Sequence, residues 1–263
     1  MLELRNVTKV FNPGTVNEKV AINDISLKLN DGDFVTVIGS NGAGKSTMLN
    51  LVAGLWQPDS GKIEIDGIDV TKMPEHKRAK YLGRVFQDPR DGTASDMNIE
   101  ENLAIAARRG KKHTLKWGIT RKEREAYKEL LAGLGLGLED RMTSKVGLLS
   151  GGQRQAITLL MASLECPKIL LLDEHTAALD PKTAKTVLDL TDKIVRENHL
   201  TTLMVTHNMK DAIAHGNRLI MMNNGRVLLD IKGEEKMNLT IEELLEKFNQ
   251  SSGEEFASDK ALL

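Results

Sequence analysis

Gly39-Ser40-Asn41-Gly42-Ala43-Gly44-Lys45-Ser46-Thr47 is the stretch on which the fold turns. It fits the pattern G-x-x-x-x-G-K-[ST], and its setting is as informative as its letters. Phe34 to Ile38 before it reads as a buried strand, and Met48 to Leu55 after it has helical spacing. Strand, glycine loop and helix in that order predict a phosphate loop. The glycines let backbone N–H groups surround a polyphosphate, and the helix N-terminus adds partial positive charge. Lys45 is then placed for the β- and γ-phosphates and Ser46 for Mg²⁺. A glycine-rich structural turn would not require both the strand and the helix.

Moving outward, Ile169-Leu170-Leu171-Leu172-Asp173-Glu174 reads as a central parallel strand ending in two carboxylates. The carboxyl ends of such strands are where α/β sheets bind ligands. Asp173 suits a water-mediated hold on Mg²⁺. Glu174 suits orienting and deprotonating an attacking water, a role worth about 10²–10⁴ in rate. A helix N-cap pair would account for one carboxylate but does not require both. Thr202 to Val205 is a further strand, followed by Thr206-His207.

The N-terminal part reads as β. Leu2 and Leu4, then Ile25, Leu27 and Leu29, alternate with polar residues, and Asp31-Gly32 reads as a hairpin turn. Lys62 to Asp66 alternates again before another Asp-Gly. From about 96 to 165 strand signals disappear, and helical spacing (Ile99, Leu103, Ala106) is broken by glycines. Arg218–Met222 and Arg226–Ile231 flank the turn Asn223-Asn224-Gly225. Thr240-Ile241-Glu242-Glu243 is a capping box, with Ile241, Leu244, Leu245 and Phe248 on one helical face. The final dozen residues, polar and weakly patterned, read as a frayed tail.

Composition narrows the field. The 263 residues carry 36 Lys+Arg against 37 Asp+Glu, and only 3% are aromatic, which argues against a basic, base-stacking nucleic-acid surface. No apolar run approaches the roughly 18 residues that span a bilayer. The single cysteine, Cys166, excludes an internal disulfide framework and a cysteine-rich zinc site. A soluble cytosolic protein is expected. Eight Lys/Arg lie between Arg108 and Arg124. They read as a solvated face, with contact to anionic lipid headgroups or a membrane-embedded partner as the second reading.

Leu149-Ser150-Gly151-Gly152-Gln153, about twenty residues before the Asp173-Glu174 strand, completes a set that resembles the ATP-binding cassette (ABC) family over residues 2 to about 231. The resemblance implies an α/β, RecA-like phosphate-loop NTPase core with an antiparallel β subdomain and an inserted helical subdomain at about 88–165. Residues 1–250 would form one ATPase domain and 251–263 the tail. It gives Phe11 the role of stacking on adenine, and Gln87 that of touching Mg²⁺ and sensing the membrane partner. His207 would contact the γ-phosphate.

The resemblance further implies that two cassettes, identical or paired, close head to tail around two ATP. Each ATP would lie between one chain's Gly39–Thr47 loop and the other's Ser150, Gly151, Gly152 and Gln153, with Asp180 in the loop crossing the interface. Hydrolysis would drive a separate transmembrane permease from the inner face of the cell membrane. The arrangement is that of bacterial importers with an extracytoplasmic substrate-binding protein, although some exporters share it. Thr8–Lys19 and Asp173–Pro181 resemble cassettes of amino-acid uptake systems, aromatic or branched. The alternative is a soluble ABC ATPase of a cofactor-assembly or repair complex. Two departures from the family pattern stand out: His175 where proline follows the glutamate, and Ala156 and Met161 in place of basic residues.

Overall fold

Phe34–Gly39 (β3) is buried along its whole length, as its unbroken apolar run requires of a strand covered on both faces. A computed structural model, describing residues 1–111 and 118–252, places β3 inside a six-stranded sheet. Its other strands are Leu82–Val85 (β6), Ile169–Asp173 (β7), Thr202–Val205 (β8), Arg218–Asn223 (β9) and Arg226–Lys232 (β10). The order is β10-β9-β3-β8-β7-β6. Every neighbouring pair is parallel except the β9–β10 hairpin, which turns at Asn223-Asn224-Gly225 as expected.

A four-stranded antiparallel sheet packs beside it, in the order β2-β1-β4-β5. Its strands are Leu2–Phe11 (β1), Lys19–Leu29 (β2), Ser60–Ile65 (β4) and Ile68–Asp69 (β5). Asp66-Gly67 closes the β4–β5 hairpin, but Asp31-Gly32 does not close one. The chain turns there, with the Asp33 N–H donating to the Asn30 carbonyl at 3.1 Å, and β2 and β3 belong to different sheets. The dipeptide encodes the reversal; the buried run after it sends β3 into the parallel sheet rather than back along β2. Alternating side chains such as Leu2, Leu4, Ile25 and Leu27 form one core with Val35, Val37 and the helix after the phosphate loop.

Lys45–Ala53 (α1) is that helix. Beyond the short Glu75–Arg78 (α2), three α-helices among the described residues carry the glycine-broken region: Ile99–Ala107 (α3), Arg121–Ala132 (α4) and Gly151–Ser163 (α5). They share a separate core of Ile99, Leu103, Tyr127, Leu131, Ile157 and Leu160. The opposite side of α5 packs Ala156, Leu159 and Ala162 on Val85, Leu170 and Leu172 of the sheet. Ala156 is fully buried there, where a basic side chain would leave a charge without water.

Pro181–Glu197 (α6), Met209–Ala214 (α7), Glu234–Met237 (α8) and Ile241–Ser252 (α9) complete the described chain. Leu244 and Phe248 of α9 are buried against Ile38, Met209 and Met221, and Thr240 and Glu243 exchange the expected capping bonds. Helix α9 runs two residues into the stretch expected to be tail; residues from 253 on lie outside the described ones.

The basic stretch is solvated in part: Lys111, Arg121, Lys122 and Arg124 are exposed, as a solvated face requires, whereas Arg108 and Arg109 are half-buried. Arg108 donates to the carbonyls of Ala104 and Gly118, and Arg109 to that of Ala162 at 2.9 Å. Lys111 pairs with Glu165 at 2.6 Å, and Arg124 with the buried Glu100 at 2.6 Å. These cations stitch the helical region internally. Lys112 and Lys116 lie outside the described residues.

Candidate ATP site

The parallel register decides what meets at the site. Val37 of β3 and Asp173 of β7 both lie opposite Val205 of β8, and Leu172 of β7 lies opposite Val85 of β6. The carboxyl ends of four strands therefore deliver the phosphate loop, Thr206-His207, Asp173-Glu174 and Phe86-Gln87 to one edge of the sheet.

The loop itself is shaped by close approach. Gly44 takes φ 103°, and a Cβ there would stand 2.5 Å from the Ala21 carbonyl oxygen, so only glycine lets the loop lie against β2. Lys45 is buried, its ammonium donating to the Gly39 and Ser40 carbonyls at 2.7 and 3.1 Å. Burial pulls its pKa down, opposed by the charges of Glu174 and Asp173. A cavity of about 250 Å³ is lined by Phe11, Lys19, Ala21, Asn41 to Thr47 and Glu174. The Phe11 ring is set by the edge of Trp56, with centroids 4.9 Å apart.

Beside this cavity, Glu174 is the meeting point. Its backbone sits at φ 44°, a left-handed conformation uncommon for a non-glycine residue, and its N–H is fixed by the Val205 carbonyl at 3.0 Å. Its Oε2 lies 3.5 Å from Gln87 Nε2 and 3.5 Å from His207 Nδ1. Asp173 has its carboxyl pKa raised by burial, opposed by Arg84, whose Nη2 is 3.3 Å from Oδ2.

The oxygens of Ser46, Gln87 and Asp173 are hard donors of the kind Mg²⁺ takes together with substrate phosphates. Among the described residues, no group of three or more His, Cys, Asp and Glu is arranged to hold a metal. The donor set therefore fits a magnesium that depends on the nucleotide for its remaining ligands.

None of Ser150, Gly151, Gly152, Gln153 or Asp180 lines the phosphate cavity. Ser150 is the N-cap of α5, accepting from the Gln153 N–H at 3.3 Å while Gln153 Oε1 accepts from the Ser150 N–H at 3.2 Å. Its hydroxyl proton remains available to an acceptor outside. Gly152 has a further reason to be glycine: a Cβ would meet Thr183 Cγ2 of α6 at 2.1 Å. Asp180 caps α6 through the Thr183 N–H at 3.2 Å. His175, the departure beside Glu174, points into the interior with Nε2 3.0 Å from Thr191 Oγ1. Burial, helped by the neighbouring His215, pushes its pKa down to about 4, so it stands neutral behind the site.

Sequence reasoning passed over three cations. Lys19 lines the cavity, and its only signal was position at the start of a strand. Arg84 interrupts Leu82-Gly83-Val85, and Arg78 is wholly buried under α1. A charge inside an apolar strand is a readable signal for Arg84; nothing local marks Arg78.

A phosphate loop at the end of a buried parallel strand, with an acidic pair two strands away, defines a phosphate-loop nucleotide triphosphatase. A family model described as "ABC transporter" matches residues 22–177, and the chain belongs to the ABC transporter family. It is an ATPase whose hydrolysis is coupled to transport.

A tyrosine transport ATP-binding protein of Clostridioides difficile is 51% identical over 249 residues, covering 94% of this chain and 98% of that one. A spermidine/putrescine import ATP-binding protein of Haemophilus influenzae is 35% identical over 231 residues, covering 88% of this chain and 57% of that one. An ATP-binding cassette solved as a dimer in a post-hydrolysis state with ADP and Pi superposes with TM-score 0.74 at 30% identity, covering 88% of this chain and 98% of that one. Among the described residues, no helix is long and apolar enough to cross a membrane.

Proposed function

We propose that this chain is the nucleotide-binding subunit of an amino-acid importer, and that Glu174 is its general base. The observation that carries the catalytic reading is the convergence of Gln87 and His207 on one oxygen of Glu174, 3.5 Å from each, beside the phosphate loop. Lys45 and the loop N–H groups hold the β- and γ-phosphates, and Phe11 stacks on adenine. Ser46, Gln87 and Asp173 would hold Mg²⁺, which would supply charge neutralisation at the phosphates. Glu174 takes the proton of the attacking water, with His207 on its other side to contact the γ-phosphate. The residues from Gly39 to Thr47 make half of a site, and Ser150 to Gln153 and Asp180 of a second cassette make the other half. Their position outside the cavity supports that division.

On this reading residues 1–250 act as one ATPase domain, with 88–165 as its helical subdomain. The chain works on the inner face of the membrane with a separate permease and a substrate-binding protein, and does not take nucleic acid. The tyrosine-transport relative supports amino acids as the cargo class. Glu174→Gln tests the base: steady-state hydrolysis should fall by at least 100-fold while ATP binding persists, following the usual worth of a general base of about 10²–10⁴. Turnover near the wild-type rate would remove Glu174 from the role.

A further inference from the structure

Arg84 stands third in β6, where the parallel partner position is Leu171 and both neighbours, Gly83 and Val85, are buried. An apolar residue would suit such a position better, since burying a guanidinium needs compensating partners. Its Nη2 donates to Asn50 Oδ1 on α1 at 2.8 Å and to Asp173 Oδ2 at 3.3 Å. The guanidinium stacks 4.6 Å from the centroid of Phe86, the residue before Gln87. Its Nε is buried with no hydrogen-bond partner. A cation left partly unsatisfied, yet joined to three elements that each carry part of the site, is poorly explained as packing.

We propose that Arg84 is a positioning residue for the metal site: by occupying one oxygen of Asp173 and anchoring on Asn50, it fixes that carboxylate relative to the phosphate-loop helix. This rests on the reading of Asp173 as a metal-site residue. The bond to Asn50 sets the guanidinium from the α1 side, and Phe86 holds its plane. The Asp173 carboxylate then keeps one orientation, with its second oxygen left for Mg²⁺ or a water on it. Arginine suits this because its planar fork keeps a fixed geometry, whereas a lysine ammonium is a single flexible point. Partners that orient a metal ligand typically affect metal affinity by about 10–100-fold.

The test measures binding of a non-hydrolysable ATP analogue by equilibrium titration, once with Mg²⁺ and once with EDTA. The readout is the gain in affinity that Mg²⁺ confers. Arg84→Met should cut that gain by about tenfold or more while affinity in EDTA stays within about twofold. Arg84→Lys should recover part of it, and Asn50→Leu should lose part. Should Arg84→Met not fold, the last two variants still report the split between the two conditions.

An unchanged gain would overturn the proposal. So would a larger gain, which would make the guanidinium a competitor of the metal, and so would equal losses with and without Mg²⁺, which would make it structural support. Asp173→Asn is the reference. If it keeps the full gain, the metal reading of Asp173 falls first; if it loses the gain while Arg84→Met does not, only the role of Arg84 falls.

Discussion

Arg78→Met should be among the most damaging single changes outside the site. The Arg78 side chain is completely buried, and its partners are four main-chain carbonyls: Met73 at 2.7 Å, Leu51 at 2.6 Å, Val52 at 2.9 Å and Thr71 at 3.1 Å. Leu51 and Val52 belong to the last turn of α1, whose carbonyls have no partner within the helix. The guanidinium therefore caps the helix that begins at the phosphate loop. Methionine fills much of the volume but satisfies none of the carbonyls.

Breaking a buried charged network typically costs about 3–5 kcal/mol, and each abandoned buried acceptor about 1–3 kcal/mol. Overlap between these terms argues for the lower sum, about 3–5 kcal/mol. For a chain of this size that is a fall in Tm of roughly 6–20 °C. Arg78→Lys should recover little, because one ammonium cannot span four acceptors. The assay is thermal and urea denaturation of the three proteins without nucleotide. A loss below about 1 kcal/mol for Arg78→Met, the range of exposed surface interactions, would refute the capping argument.

His175 makes stability depend on pH in a defined window. Its folded pKa of about 4 lies below the ordinary 6.5, so as pH falls through 6.5 the unfolded chain takes a proton that the folded chain refuses. Its contribution is full above 6.5 and shrinks toward 4, by about 1.4 kcal/mol per pH unit. Between pH 7 and 5, wild type should therefore lose roughly 2 kcal/mol more than His175→Gln in parallel urea titrations; equal losses would show that His175 is not buried neutral. Lys45→Ala should weaken ATP binding itself rather than turnover alone, seen by titration with labelled nucleotide. Binding at wild-type affinity would contradict the placement of its ammonium under the loop.

Three strands of the parallel sheet were legible because burial on both faces leaves a short apolar run, whereas Leu82–Val85, interrupted by Arg84, was not read as a strand. Thr202–Val205 and Ile169–Asp173 follow directly from such runs. The phosphate loop and the acidic pair were legible because their chemistry forces residue types at fixed spacing. What stayed hidden was long-range. Asp31-Gly32 specifies a reversal but not which sheet receives the next strand. Arg108 and Arg109 looked as solvated as the rest of the basic stretch because a sequence does not display the carbonyls of Ala104 and Ala162 that they find. Arg78 was hidden for the same reason, since the helix carbonyls it caps lie 26 and 27 residues away along the chain; Arg84 is marked by its charge within an apolar strand, but its partner Asp173 lies 89 residues away.

The composite site is the central claim, and a mixing experiment tests it most directly. Lys45→Ala spoils the phosphate loop and Ser150→Arg spoils the signature, so each variant alone forms dimers with two defective sites. In a mixed dimer both defects fall on one site, leaving the other with an intact loop from one chain and an intact signature from its partner. Sedimentation with ATP and Mg²⁺ should show the mixture recovering dimer well above either variant alone. Turnover is expected to recover less, because residues that act as a unit are not additive. A dimer fraction that merely averages the two separate results would contradict the account and leave a self-contained site on each chain.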